Sequence, residues 1–595
     1  MSLADTRQHK PPSAAGRPRR RLRALGRRLD HPTSFVALGF VIVVLGLFFV
    51  WPLIDIVFRS LSRAGIVSYS HPSISWLNYS ALWHDALLRI VIRNTLTLAV
   101  WSTLVTVVLA YPAAYLLSRL QRRHANLLLG LIVVPFLVSI LVRLFAFTEL
   151  LSTDGIVNKA LGLVHLGPYK ILFTTPAVVI GTVNYLLPYM ILILYASMAT
   201  VDPSLATAAR SLGASSGYIF RKIFFPLTKG ALVSGALLIF VLALGFFLTP
   251  VLLGGPQDTT VAAYIEEQIE LFQWGNASAV GILLFVVTTV CFVIAIRISG
   301  IATIVRRPGA SQKGSAEAEP LGRGVLAVVL WAAMGVTLVV LLLPLVVVIP
   351  ISFEQSQIVT FPPQGFTFHW YQVVTTQPMW TSAIWKSCRV GVCVAILATA
   401  LGLGLARLLQ DLRSARAVVA IQTVVYAPIV VPIILLSIGI FDVETRIGLD
   451  GSFWGLVLPH TVLALPFTFA ACNAALADLD PALEEAAWTL GVSRTRAFYA
   501  VVLRPILPSI IGAMFLGFII SWDEVVVALF QTGQQPTLPV TIFSFLQSGV
   551  QPSVSAIATL LISMVVVGMV VLQLINRRAR RRRMSLEAEV ADVNY

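Results

Sequence analysis

The sequence predicts an all-α, polytopic membrane chain of about twelve transmembrane helices in two parallel six-helix halves, and three observations carry that prediction. The first is composition: 57% of the 595 residues are hydrophobic, only 12% are charged, and mean hydropathy is +0.86, whereas soluble domains carry about 25% charged residues. The second is run length. Stretches such as "FVALGFVIVVLGLFFVWPLIDIVF" from Phe35 and "ISMVVVGMVVLQLI" near the end meet the roughly 20 residues that a spanning helix needs. Only helices and closed barrels satisfy their backbone in lipid, and barrel strands alternate apolar with polar residues. These runs are apolar on every side. The third is a repeat: "DPSLATAARSLG" at 202–213 returns as "DPALEEAAWTLG" at 480–491.

Residues 1–34 read as a basic tail, with seven arginines between Arg17 and Arg28, and 577–595 as a second tail that opens on "RRARRRR". The net charge of +16 sits in such short segments beside the apolar runs. That placement fits cytoplasmic anchoring by the positive-inside rule rather than a nucleic-acid patch. The start resembles the basic region of a signal peptide, but the apolar run after it is too long and no small-residue cleavage site follows. It reads as an uncleaved first helix.

Spans are expected near 35–56, 91–117, 126–150, 174–199, 231–253, 278–300, 324–350, 387–409, 416–440, 454–476, 508–530 and 555–576. An even count puts both termini on one side. Threading from a cytoplasmic start places "SRLQRRH" (118–124), the Arg210 to Lys229 region, "RRPGASQK", "ARLLQDLRSAR" and the Arg494 to Arg504 region inside. The loop with Asp258, Glu266, Glu267 and Glu270 falls outside. Every basic cluster lands where the rule wants it. A Gly-, Ser- and Ala-rich linker at 306–323 separates a first half, 35–305, from a second half, 324–576.

The repeat fixes how the halves correspond. Asp202 and Asp480 are 278 residues apart, and Pro203/Pro481, Leu205/Leu483, Ala208/Ala486, Ala209/Ala487, Leu212/Leu490 and Gly213/Gly491 keep that offset. Each island follows the fourth span of its half, so the halves run parallel and both islands face the cytoplasm. Asp caps a helix start, Pro fits its first turn, and Gly suits a left-handed stop. Between them Leu, Ala, Ala and Leu recur at i, i+3, i+4 and i+7, one shallow apolar stripe on about three turns. Docking against another protein and packing against the chain's own spans both produce that stripe.

The islands resemble the EAA loop of ABC importer permeases: Glu-Ala-Ala, three residues, Gly, and a Pro about thirteen residues later. Here Glu485, Ala486, Ala487 and Gly491 supply it. Further segments, "WSTLVTVVLAYPAAYLLSR", "LVRLFAF" with "GIVNKAL", "FFLTPVLLGGPQD", "FPPQGFTFHWY", and "ISWDEVVVALF" with "PTLPVTIFSFL", resemble in order the two permeases of spermidine/putrescine-type ABC importers (binding-protein-dependent transport system inner membrane components). The likeness covers nearly the whole chain after the first span. The resemblance implies a fused two-half permease in the bacterial cytoplasmic (inner) membrane that carries a small organic cation, a polyamine. It implies two cytoplasmic ABC ATPase subunits and an extracytoplasmic solute-binding protein as partners. It further implies that Leu205, Ala208, Ala209, Leu212 and Gly213, with Leu483, Glu484, Glu485, Ala486, Ala487, Leu490 and Gly491, form short coupling helices seated in grooves of the ATPase.

The copies also depart from the consensus. Thr207 stands where Glu is usual, Arg210 stands opposite Trp488, and Pro505 falls fourteen residues after Gly491 while Pro226 keeps the usual thirteen. The first docking surface is therefore the less acidic.

Trp522, Asp523 and Glu524 fall inside the eleventh expected span. An acidic residue at mid-membrane costs about 2.5 to 3.5 kcal/mol on insertion scales. Such a pair either lines a path for a cationic solute or sits near the outer end of the span, hydrogen-bonded to neighbouring loops. The duplicate position, Gly245 with Phe246, carries no charge.

No catalyst, cofactor or metal site is expected. Cys291, Cys388, Cys393 and Cys472 lack paired spacing, the eight histidines form no H-E-x-x-H, and Gly-Lys never occurs, which excludes a phosphate loop. ATP chemistry must therefore come from a partner. A twelve-helix secondary transporter also has parallel repeats, but has no need of capped islands after each fourth span. Ferric-iron ABC permeases, often fused duplicates, are the alternative within the resemblance.

Overall fold

Prolines and short polar breaks decide where this chain's apolar runs are cut. The structure, a computed structural model, describes residues 32–62, 74–299, 324–357, 359, 361–412, 414–531, 533–549 and 551–568. Residues 1–31 of the expected first tail, the expected linker at 306–323 and the expected tail at 577–595 lie outside the described residues.

The first half contains α1 (Leu38–Ser60) and α2 (Ala86–Arg119), then a bent pair. Its arms are α3 (Arg122–Phe136) and the segment Ile140–Gly162, which opens with α4 (Ile140–Leu151). Next come α5 (Thr175–Met198), the short α6 (Pro203–Ser211), α7 (Ser216–Leu244) and α8 (Trp274–Ser299). The second half repeats the order with α9 (Val325–Ile351), α10 (Pro378–Asp411), α11 (Ala415–Tyr426), α12 (Ile433–Ile447), α13 (Phe453–Ala477), α14 (Pro481–Thr489), α15 (Arg494–Trp522) and α16 (Pro552–Gly568). No strand occurs among the described residues. Each expected span meets a helix or a bent pair, and α16 is the shortest of them.

Four spans differ in shape from the expectation. The runs near 126–150 and 416–440 are not single rods: their arms meet at 88° and 95°. Pro135 lacks an N–H at the end of α3, and Ser139, at φ −46° and ψ 135°, is non-helical just before α4. In the second half Val431 precedes Pro432, a position that disfavours helix, and α12 begins right after that proline. The runs near 231–253 and 508–530 stop early, at Leu244 and Trp522. Each resumes after three residues as a short helix, Leu248–Leu253 and Val526–Gln531.

The halves interlock. Val41, Val44, Phe48 and Ile56 of α1 are buried in one cluster with Leu405, Leu435, Phe469 and Ile510 of the second half. Leu330, Met334, Leu341 and Val348 of α9 lie in the cluster built mainly by the first half. Each half thus lends its opening helix to the other. Ion pairs pin α1 there: the buried Asp55 accepts from Arg59 at 2.8 Å and from Arg446 at 3.3 Å, while Asp442 accepts from Arg446 at 2.7 Å and also from Arg59. In lipid, helix association relies on close packing rather than on release of water. A Cβ on Gly402 of α10 would come within 2.8 Å of the Phe469 backbone N, so the α10–α13 contact requires glycine at that point.

Candidate functional site

Two places hold the residues that the sequence singles out: the paired short helices α6 and α14, and the break that follows α15.

The short helices share their construction. Asp202 and Asp480 accept from the backbone N–H groups of Ser204 and Ala482 at 2.8 and 2.9 Å. The Ser204 bond holds the Asp202 carboxyl below its ordinary value. Both helices end at glycines with φ of +82° (Gly213) and +83° (Gly491), the left-handed region that side chains with a Cβ resist. All four leucines of the stripe are exposed, and the residues between them differ in burial. Leu212 and Leu490 are 89% and 84% exposed, and Leu205 and Leu483 are 44% and 53% exposed. Ala208, Ala486 and Glu485 are exposed, Ala209 is half-buried, and Ala487 is buried. Glu484 also faces inward. It is 6% exposed and bound to Arg407 at 2.8 Å, so it lies away from the outer surface. Arg407 in turn lies over the ring of Phe498, 5.8 Å from its centre. The exposed remainder of each helix is an unpartnered apolar face edged by polar groups.

Asp523 and Glu524 do not lie within a span, as the hydropathy suggests, but at its broken end. Helix α15 stops at Trp522, and Glu524 turns back to accept the Val527 N–H at 2.9 Å, capping the short helix that follows. Asp523 reaches into the other half, where it accepts the Ile140 N–H at 2.9 Å at the start of α4. The first half mirrors this contact without the charge. A Cβ on Gly245, the residue 278 positions before Asp523, would stand 3.4 Å from Pro432 at the bend of the second half. Each break after the fifth span therefore abuts the bend of the opposite half.

Around Asp523 the first half supplies Arg143, Asn184, Tyr185 and Tyr189. Arg143 is 2% exposed, donates to Asn184 Oδ1 at 3.4 Å, and holds its guanidinium 5.4 Å from the Tyr185 ring centre. Asn184 donates to the Val340 carbonyl of α9 at 2.7 Å. Tyr185 packs on Phe246 and Tyr189 on Phe136, each at 5.0 Å between ring centres. Trp522, 6% exposed, stacks on Phe518. The arrangement is two carboxyls, one guanidinium and a set of aromatic rings at the junction of the halves. Sequence reasoning found the acids and missed Arg143. The available signal was a lone arginine within an apolar run, which is costly in lipid unless partnered.

Among the described residues no three His, Cys, Asp or Glu side chains are placed to hold a metal ion.

The family described as binding-protein-dependent transport system inner membrane component matches twice, at residues 103–301 and 398–582. The spermidine/putrescine transport system permease protein PotB of Escherichia coli (strain K12) is 37% identical over 214 residues, 35% of this chain and 77% of that protein. The corresponding PotC of Haemophilus influenzae is 29% identical over 248 residues, 42% of this chain and 96% of that protein. A crystal structure of a bacterial ABC transporter that imports the acidic polysaccharide alginate aligns with a TM-score of 0.40 at 20% identity, covering 47% of this chain and 98% of that one.

Proposed function

The chain belongs to the family of binding-protein-dependent transport system inner membrane components, and on that premise we propose that it is a fused two-half ABC importer permease whose solute is a small organic cation of the polyamine class. The observation that carries this reading is the double match, one family domain per half, with an exposed, glycine-stopped helix at the same place in each. One chain then supplies both membrane halves and both docking points. Two ATPase subunits seat on α6 and α14 through Leu205, Ala208, Leu212 and Gly213, and through Leu483, Glu485, Ala486, Leu490 and Gly491. A solute-binding protein delivers from the opposite side. That arrangement makes the α6 and α14 ends cytoplasmic, together with both termini.

The solute class draws on the names of the relatives and on the junction of the halves. Carboxyls beside aromatic rings suit an organic ammonium, which gains from the charge and from the ring faces. Trp522, Asp523 and Glu524 line the path in this reading. The chain's own part is mechanical and electrostatic: α6 and α14 transmit the closure of the ATPases, the bends and breaks move against each other, and the junction opens to one side and then the other.

Reconstitution with the cognate ATPase and binding protein tests this. ATP-dependent uptake of labelled putrescine or spermidine is expected, with one copy of this chain per ATPase pair. Uptake of ferric iron but not of polyamines, or two copies of this chain per ATPase pair, would overturn it.

A further inference from the structure

Arg143 stands in the one place where a permease for cations would least be expected to keep a fixed cation. It sits one turn into α4, whose first N–H is held by Asp523. Its Nε has no hydrogen-bond partner, and its contacts are the 3.4 Å bond to Asn184 and the face of Tyr185. Glu524 follows Asp523 directly at the same break and caps the short helix after it. A buried guanidinium with so few hydrogen bonds is costly unless an opposite charge compensates it. Asp523, which holds the Ile140 N–H one turn before Arg143 on the same helix, brings that opposite charge to this end of α4. With both acids ionised, the junction carries a formal charge of −1: Asp523 and Glu524 give −2 and Arg143 gives +1.

We propose that Arg143 is the resident counter-ion of the Asp523–Glu524 pair and sets how strongly a solute is held, by its number of ammonium groups, as it crosses the junction of the halves. The inference rests on the reading that the solute is an organic cation. With Arg143 in place, one unit of negative charge is left for the solute, so a trication gains little over a dication. Without it, two units are left and the trication dwells longer. With Asp523 neutralised instead, none is left and the preference reverses. Arg143 is a specificity-determining residue in this sense, and its conjugate partners are the acids of the other half.

The test is uptake per folded transporter in proteoliposomes, with ATPase and with binding protein saturated in turn by spermidine and by putrescine. Saturation removes the binding protein's own preference from the ratio of maximal rates. Arg143→Gln is expected to lower the spermidine-to-putrescine ratio by about fivefold, the low end of the coupling that one site exerts on another. Asp523→Asn, which keeps an oxygen to accept the Ile140 N–H, should raise it by a similar factor. The double variant restores the formal charge of −1 and with it the wild-type ratio, and Arg143→Lys leaves the ratio unchanged. A wild-type ratio per folded molecule in both Arg143→Gln and Asp523→Asn would make the cluster structural and end the proposal. A shift that the double variant fails to correct would assign the effect to shape rather than charge, with the same consequence. Should Arg143→Gln fold too poorly to assay, the upward shift in Asp523→Asn decides alone. Absence of uptake of either amine by the wild-type complex would instead overturn the polyamine reading, before any variant is made.

Discussion

Helices α6 and α14 are alike in every feature that is local in sequence and different in how they are held. Both are capped by Asp, both stop at a left-handed glycine, and both expose a leucine beyond the last turn. Yet α14 is tied to its own half by the Glu484–Arg407 pair. The residue of α6 in register with Glu484 is Ala206, which is buried, and Arg119 at the end of α2 lies over the rings of Tyr115 and Phe224. An ion pair with little exposure fixes one docking helix, while at the matching place the other buries an alanine. Force applied to α14 therefore has a polar link to α10 at Glu484, and the matching place of α6 offers only the packing of Ala206.

The sharpest way to break this comparison is Glu484→Ala. It leaves Arg407, itself 12% exposed in its side chain, without its carboxylate, at a cost of about 2 to 5 kcal/mol. Thermal melting of the purified permease should fall and ATPase retention should drop with it, whereas Ala206→Ser, at the matching place, should change neither. Equal losses would mean that the pair does not distinguish the helices. Next in size come Gly491→Val and Gly213→Val. No atom lies within 4 Å of a Cβ at either position, so the cost is backbone strain alone, about 1 to 3 kcal/mol. Coupled ATPase activity should fall in both, with the membrane bundle melting as in the wild type. A loss in one only would show that the stops are not equivalent.

How much of this was legible follows from the range of the forces involved. The caps and stops of α6 and α14 depend on residues within one turn, so Asp202, Gly213, Asp480 and Gly491 announced them in sequence. The 278-residue offset carried further, since Gly245 and Asp523 occupy matching breaks. The inward turn of Glu484 was not legible, because Arg407 lies 77 positions away and an i, i+3, i+4 pattern cannot say which helix covers which face. The two bends were half-visible: Pro135 and Pro432 mark a break, but not an angle near 90°. The exchange of α1 and α9 between halves left no trace in hydropathy, because a lipid-facing and a protein-facing leucine read the same.

Surface substitutions sharpen the comparison without disturbing the fold. Leu490→Asp and Leu212→Asp alter side chains that are more than four-fifths exposed, so stability should change by no more than about 0.5 kcal/mol. Both should nevertheless lose ATPase on co-purification. Glu485→Lys should weaken retention more than Thr207→Lys, since only the second island presents an outward acid at that register. Full retention by all four variants would mean that the ATPases seat elsewhere than on the islands.

The smallest expected effect is the pH response of the α6 cap. In α6 the Ser204 N–H bond holds the Asp202 carboxyl below its ordinary value of 3.8. A carboxyl depressed in the folded state stabilises that state fully above its unfolded value, and the contribution is lost as pH falls through the folded one. Above pH 5 the cap of α6 should therefore be insensitive to pH, and it should weaken only in the acid range below the ordinary carboxyl value. Asp202→Asn keeps an acceptor for the same N–H and removes the titration. ATPase retention measured against pH should thus be the same for wild type and variant near neutrality and diverge only in that acid range, with the variant holding better. Divergence at neutral pH would mean that the Asp202 charge, rather than its hydrogen bond, contributes to docking, and the shared cap would no longer be what makes the two helices alike.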